Sequence, residues 1–178
     1  MKTLFTFILF TTITSTQAQN FKGLDKSPMD KTAYPMSYRV KEKVAVITYS
    51  RPTLRGRLFS EIVPFGKVWR TGANEATELH VLKSIEINDV EIRPGIYTLY
   101  TIFEANQMTL IVNNTSSSWG SYSYSEKKDL LRYNVPIIRS NESLEAFSMI
   151  FSKKDEDPKI HIGWGKIRAS VPFTINWN

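Results

Sequence analysis

Cysteine is absent from the 178 residues. That excludes disulfide staples, thiolate metal sites, iron–sulfur clusters, a cysteine nucleophile and a lipidated cysteine. Histidine occurs only twice, which leaves little for a zinc enzyme or a Ser-His-Asp triad. No metal ligand set and no cofactor are expected, and neither a phosphate loop nor a dinucleotide fingerprint is present. Ser50 lacks the strained elbow of a hydrolase nucleophile. Glycine and proline number 8 each, too few for collagen or a flexible linker. Beyond the first residues no run is apolar enough to span a bilayer, so the mature chain carries no transmembrane segment. What remains is 42% hydrophobic and 12% aromatic, the composition of one folded domain.

The first residues read as an address. Lys2 precedes the apolar run Leu4–Phe10, and small residues follow to Ala18. This is the pattern of a secretory signal peptide over residues 1–18, and it points to export to a periplasm, an outer surface or the medium. Losing Lys2 lowers the formal charge from +6 to +5. That excess is ordinary for solubility, and basic residues outside one stretch are scattered and often offset by acids. An exported chain of this charge is not expected to bind nucleic acid; an anionic or glycan ligand suits it better.

Residues 19–43 are mixed polar, with Pro28 and Pro35, and are expected to form an extended lead-in. From residue 44 to 178, β-branched and aromatic runs alternate with turn residues. The runs are Val44–Tyr49, Ala76–Leu82, Ser84–Asn88, Ile96–Phe103, Met108–Asn113, Leu130–Ile138, Leu144–Phe151, Lys159–Trp164 and Ile167–Asn176. Short strands at this spacing predict an all-β fold, a single antiparallel β-sandwich or jelly-roll-like domain. Val44–Tyr49 and Ile96–Phe103 are apolar on both faces and are expected to be central. Pro172 favours an edge or a bulge. Only Leu58–Val63 offers a single helical turn.

The chemistry concentrates between Arg51 and Thr77. Five basic residues face one acid, Glu61, between Arg51 and Gly72. It is the longest stretch without a strand period, stiffened by Pro52 and Pro64, and long connections in compact domains are often functional. Guanidinium groups such as Arg51 and Arg70 can grip a carboxylate or phosphate; they can equally tie the loop down through an acid such as Glu75. A second cluster runs Ser116-Ser117-Ser118-Trp119-Gly120-Ser121-Tyr122-Ser123-Tyr124. Its aromatics either stack on a ligand, or Trp119 and Tyr124 fold back to roof the sandwich. His80 and His161 share a site only if their strands are neighbours, and nothing in the spacing of Glu61 and Glu75 forces them together.

These same residues carry a resemblance. Tyr49-Ser50-Arg51-Pro52, Gly56-Arg57, the run Val63 to Thr77 containing Trp69-Arg70-Thr71-Gly72-Ala73-Asn74-Glu75, and Arg93-Pro94-Gly95-Ile96-Tyr97 resemble the bacterial exported family called domain of unknown function 2911. Trp119-Gly120 and Asp129-Leu130-Leu131-Arg132 match as well, so the resemblance spans about residues 28–177. It implies an exported β-rich domain and brings no activity and no catalytic residue. The leading expectation is a non-enzymatic binding module whose ligand meets Arg51, Trp69, Arg70, Asn74, Glu75, Trp119 and Tyr122. The alternatives are a glycan hydrolase using Glu75 as general acid or base, and an architectural domain with a satisfied Arg/Glu network.

Overall fold

The computed structural model describes residues 19–153 and 157–176. The signal-peptide expectation for residues 1–18 falls outside them. The chain is all-β. A six-stranded antiparallel sheet has the order β1-β2-β3-β6-β7-β8, built from Met29–Tyr34, Ala45–Ser50, Thr77–Val81, Gly95–Phe103, Gln107–Asn113 and Asp129–Pro136. Facing it is a long hairpin of β9 (Ile138–Phe151) and β10 (Lys159–Pro172). A small sheet of β11 (Thr174–Ile175), β4 (Ile85–Ile87) and β5 (Val90–Ile92) adds Ile85, Ile87 and Ile92 to the same core.

The two-residue period decides the layers. Ile47 and Tyr49, Leu79 and Val81, Leu99 and Phe103, and Leu110 and Val112 turn inward. They meet Phe147, Met149 and Phe151 of β9 and Ile160, Ile162 and Trp164 of β10. β2 and β6, apolar on both faces, are flanked on each side by other strands, as expected. Aromatic rings dominate the centre: Trp69 stacks on Trp164 at 5.9 Å, and Phe147 meets both edge-on.

Three differences from the sequence reading have local causes. Met29–Tyr34, expected as lead-in, is the edge strand of the large sheet, paired along its whole length with β2. Gly165-Lys166, read as a turn, is a bulge inside β10: Gly165 takes φ 53° and the register shifts around it. β9 likewise runs straight through Ser140-Asn141-Glu142. The helical turn is α1, Phe59–Ile62, its start capped by the Glu61 carboxylate on the Leu58 N–H. Asn88-Asp89 make the expected turn, with both residues at positive φ, between β4 and β5.

Candidate functional site

The connection from Arg51 to Ala76 is a strap that stitches the two layers together. Its first part leaves the large sheet and pairs with β9: the Leu54 N–H donates to the Glu145 carbonyl and the Phe147 N–H to the Pro52 carbonyl. After α1 the chain returns to the large sheet. There the Gly66 N–H reaches the Phe103 carbonyl at 2.9 Å, and Trp69 and Thr101 exchange both backbone bonds. Main-chain bonds thus tie the strap to both layers, as burial of polar main chain favours.

Between Thr71 and Ala76 the strand bulges out before resuming as β3. Thr71 and Asn74 take the left-handed conformation, and the Thr77 hydroxyl closes the bulge on the Thr71 carbonyl at 2.6 Å. A Cβ on Gly72 would come within 3.0 Å of the Ser50 carbonyl, so that position needs glycine. The bulge then pairs with the second cluster. Glu75 bridges Trp119, the Ala76 N–H donates to the Ser118 carbonyl, and the Gly120 N–H donates to the Asn74 carbonyl. The two stretches singled out in the sequence are thus joined by main-chain bonds.

The seven expected ligand residues separate into groups. Trp69 is a core residue, 6% exposed, and its ring faces Trp164, not solvent. Arg51 is consumed by the fold: it donates to the Asp30 carboxylate at 3.0 Å, the Phe147 carbonyl at 3.1 Å and the Ser148 hydroxyl at 2.9 Å. Asn74 donates to Asp25, whose carboxyl is held below its ordinary value by the Ser27 N–H and then by Asn74. Arg70, Glu75, Trp119 and Tyr122 gather around the paired segments. Trp119 is 59% exposed and Tyr122 85% exposed; of the two rings that could roof the sandwich, Trp119 stays out while Tyr124 folds back onto Tyr100.

Arg70 is the unusual member. Trp69 points into the core, so alternation sends Arg70 to the outer face of the large sheet. There it lies beside Gly120: a Cβ on that glycine would meet Arg70 Nη1 at 3.1 Å and the Tyr122 ring at 2.8 Å. The Arg70 carbonyl accepts the Thr77 N–H at 3.1 Å, but the side chain makes no hydrogen bond or ion pair among the described residues, and its Nε is buried with no partner. The register set by Trp69 and Thr101 puts Tyr100 directly opposite Arg70 on that face. Tyr100 is fully buried, and its hydroxyl is the second buried polar side-chain atom without a partner. The sequence reading missed Tyr100. Its signal, an aromatic on the outer face of a central strand, became visible only through the register.

Neighbouring groups are satisfied. Tyr124 packs edge-on against Tyr100 and donates to Asp129 at 2.6 Å, while Arg132 pairs with Asp129 and Glu126. Burial, then the bond to Asp129, pushes the Tyr124 phenol above its usual range. On the other side of the bulge, Glu75 and Glu78 line a cavity of about 230 Å³ with Met29, Ser50 and Ser117. The Glu78 carboxylate accepts the Ser117 N–H at 2.7 Å. Glu61 is engaged at α1. His80 lies exposed on β3 of the large sheet, and His161 lies on β10 in the other layer against Ser170. Among the described residues no group of three or more His, Asp or Glu could hold a metal ion, and no helix is long and apolar enough to cross a membrane.

A family model described as Protein of unknown function (DUF2911) matches residues 27–173. The chain belongs to that family. The match begins just before β1 and ends after β10, so it takes in the whole large sheet, the strap, the bulge and the hairpin. No curated protein and no solved structure matches the chain.

Proposed function

We propose that this DUF2911 domain is an exported, non-enzymatic binding module that takes an anionic or polyhydroxyl ligand at Arg70. The observation that carries the reading is the unpaired guanidinium of Arg70, its Nε buried, on the residue opposite Tyr100, whose buried hydroxyl is also unpaired. Buried polar groups without partners cost stability, and native structures hold few of them. Two on opposed residues of one face suit a partner that arrives from outside. A guanidinium binds carboxylates and phosphates through paired hydrogen bonds, and the exposed rings of Trp119 and Tyr122 offer stacking surfaces for sugar rings. The signal-like residues 1–18 support export, which a fusion of those residues to a leaderless alkaline phosphatase tests.

A uronic-acid oligosaccharide combines both chemistries. Tetragalacturonate titrated by calorimetry should bind wild-type protein, and Arg70→Gln should weaken it at least about tenfold, the loss of one charge-assisted pair. The unfolding midpoint should stay where it was. Absence of heat with tetragalacturonate and with neutral maltotetraose, or equal binding by Arg70→Gln, defeats the proposal.

One observation favours a second reading, glycan hydrolysis with Glu75 as general acid or base: Glu75 and Glu78 line the same cavity. Release of reducing ends from polysaccharide, abolished in Glu75→Gln, would select it.

A further inference from the structure

A different face of the molecule carries a second cleft. It lies where α1 and the strap pass over the β9–β10 hairpin, and its volume is about 420 Å³. Its floor is apolar. The Phe59 ring there is pinned edge-on against Phe103 and Trp164, and Leu54 and Ile167 are buried beside it. Leu58 and Phe65 stand at the cleft 69% and 46% exposed, large apolar side chains left in water by the folded chain. The bulge at Gly165 adds depth: a Cβ there would sit 3.7 Å from Leu54 Cδ1 and 4.0 Å from Phe59 Cβ, narrowing the floor.

Charge is one-sided. Arg57, Arg139 and Lys166 line the cleft and no acid does. None of the three makes an ion pair among the described residues; Arg57 spends two of its donors on the carbonyls of Leu54 and Thr53, and Arg139 one on Ala105. An apolar trough with an unneutralised cationic rim is complementary to an amphiphile with a negative head. A peptide fits it less well. Its amide groups would need partners, and the neutral polar side chains lining the cleft are the hydroxyls of Ser60 and Ser143.

We propose that this cleft binds a fatty carboxylate, with its acyl chain on Leu58, Phe59 and Phe65 and its head group held by Arg139 and Lys166. The site is separate from Arg70, which lies on the outer face of the large sheet, so either proposal survives the failure of the other.

The test is calorimetric titration of the full mature chain with octanoate, decanoate and dodecanoate below their micellar concentrations. Affinity should rise about fourfold per added methylene, as burial of apolar surface requires. Arg139→Ala and Lys166→Ala, both at exposed positions, should each weaken dodecanoate about fivefold or more and leave dodecanol unchanged. Phe65→Ser should weaken both. Flat affinity along the series, or equal binding of dodecyltrimethylammonium and dodecanoate, overturns the proposal. So does carboxylate binding that ignores both cation substitutions.

Discussion

Arg51 and Arg70 belong to one connection, and the fold treats them in opposite ways. Arg51 stands where the strap leaves the large sheet, and its three donors reach Asp30 on β1 and Phe147 and Ser148 on β9. It closes the edge between the two layers. Arg70 stands where the strap returns, on the outer face of the large sheet, and its side chain bonds to nothing among the described residues. The difference follows from what lies opposite. A guanidinium beside free carbonyls and a carboxylate becomes a clamp. One that no carbonyl or carboxylate of the described residues meets stays available. Arginine content in a loop therefore says nothing about function until each donor has been accounted for.

The strongest way to break this comparison is at the residue beside Arg70. Trp69→Ala should destabilise the domain by about 3–5 kcal/mol in urea unfolding, since it empties the aromatic centre shared with Trp164 and Phe147. If Trp69 instead tolerates the change while ligand binding is lost, its ring belongs to the site and the inward assignment fails. Next in size is the clamp. Arg51→Ala should cost about 1–2 kcal/mol, because its bonds are charge-assisted but its side chain is 36% exposed. The tetragalacturonate affinity of that variant should equal that of the parent.

How much of this was legible beforehand varies with the kind of information involved. The strands were, because alternation and β-branched runs are local: Val44–Tyr49 and Ile96–Phe103 read as central and lie inside the large sheet. The edge strand β1 was not. Its sequence, Met-Asp-Lys-Thr-Ala-Tyr, is mostly polar and half-exposed, and it becomes a strand through pairing with β2 rather than by its own pattern. Gly165 read as a turn since a glycine at positive φ serves a bulge and a turn equally. The candidate site was legible as a region and illegible in detail. Arg51 and Arg70 are the same residue type a short way apart, and only tertiary register assigns one to β9 and the other to Tyr100. Asn74 and Glu75 gained their partners from segments far along the chain, Asp25 and the Trp119 loop.

A subtler way to sharpen the comparison works through Gly120. Gly120→Ala should cost about 1 kcal/mol, the strain of a side chain at φ 65°. The ring it would strike belongs to Tyr122, 85% exposed and free to swing aside, so the backbone sets the cost. Arg70 Nη1 would have to move as well, and the tetragalacturonate affinity should fall more than the stability does. Smaller still is the expected effect of Arg70→Met. Removing a buried donor that has no partner should raise the unfolding free energy by about 0.5 kcal/mol, a gain in stability at the proposed binding residue. A loss of 2 kcal/mol or more in thermal unfolding would mean that Arg70 is a clamp like Arg51.

The last contrast is invisible at neutral pH. Each region holds a phenol withdrawn from solvent: the buried Tyr49, near Arg51, donates to the Met149 carbonyl at 3.0 Å, and the half-buried Tyr124, near Arg70, donates to Asp129. Burial is the first cause that raises both above the ordinary tyrosine value of 10.0. In the unfolded chain both phenols ionise near that value, while the folded state keeps them protonated. Their contribution to stability is therefore complete below about pH 10 and is lost as the pH climbs through the folded-state values. Urea midpoints should be level from pH 7 to 9 and fall above 10. Tyr49→Phe and Tyr124→Phe should each make that fall shallower, since each removes one group that binds its proton more tightly when folded. The readout is the difference in slope between variant and parent. An unchanged slope in Tyr124→Phe would mean that solvent reaches its phenol and that the outer face beside Arg70 is wetter than its burial implies.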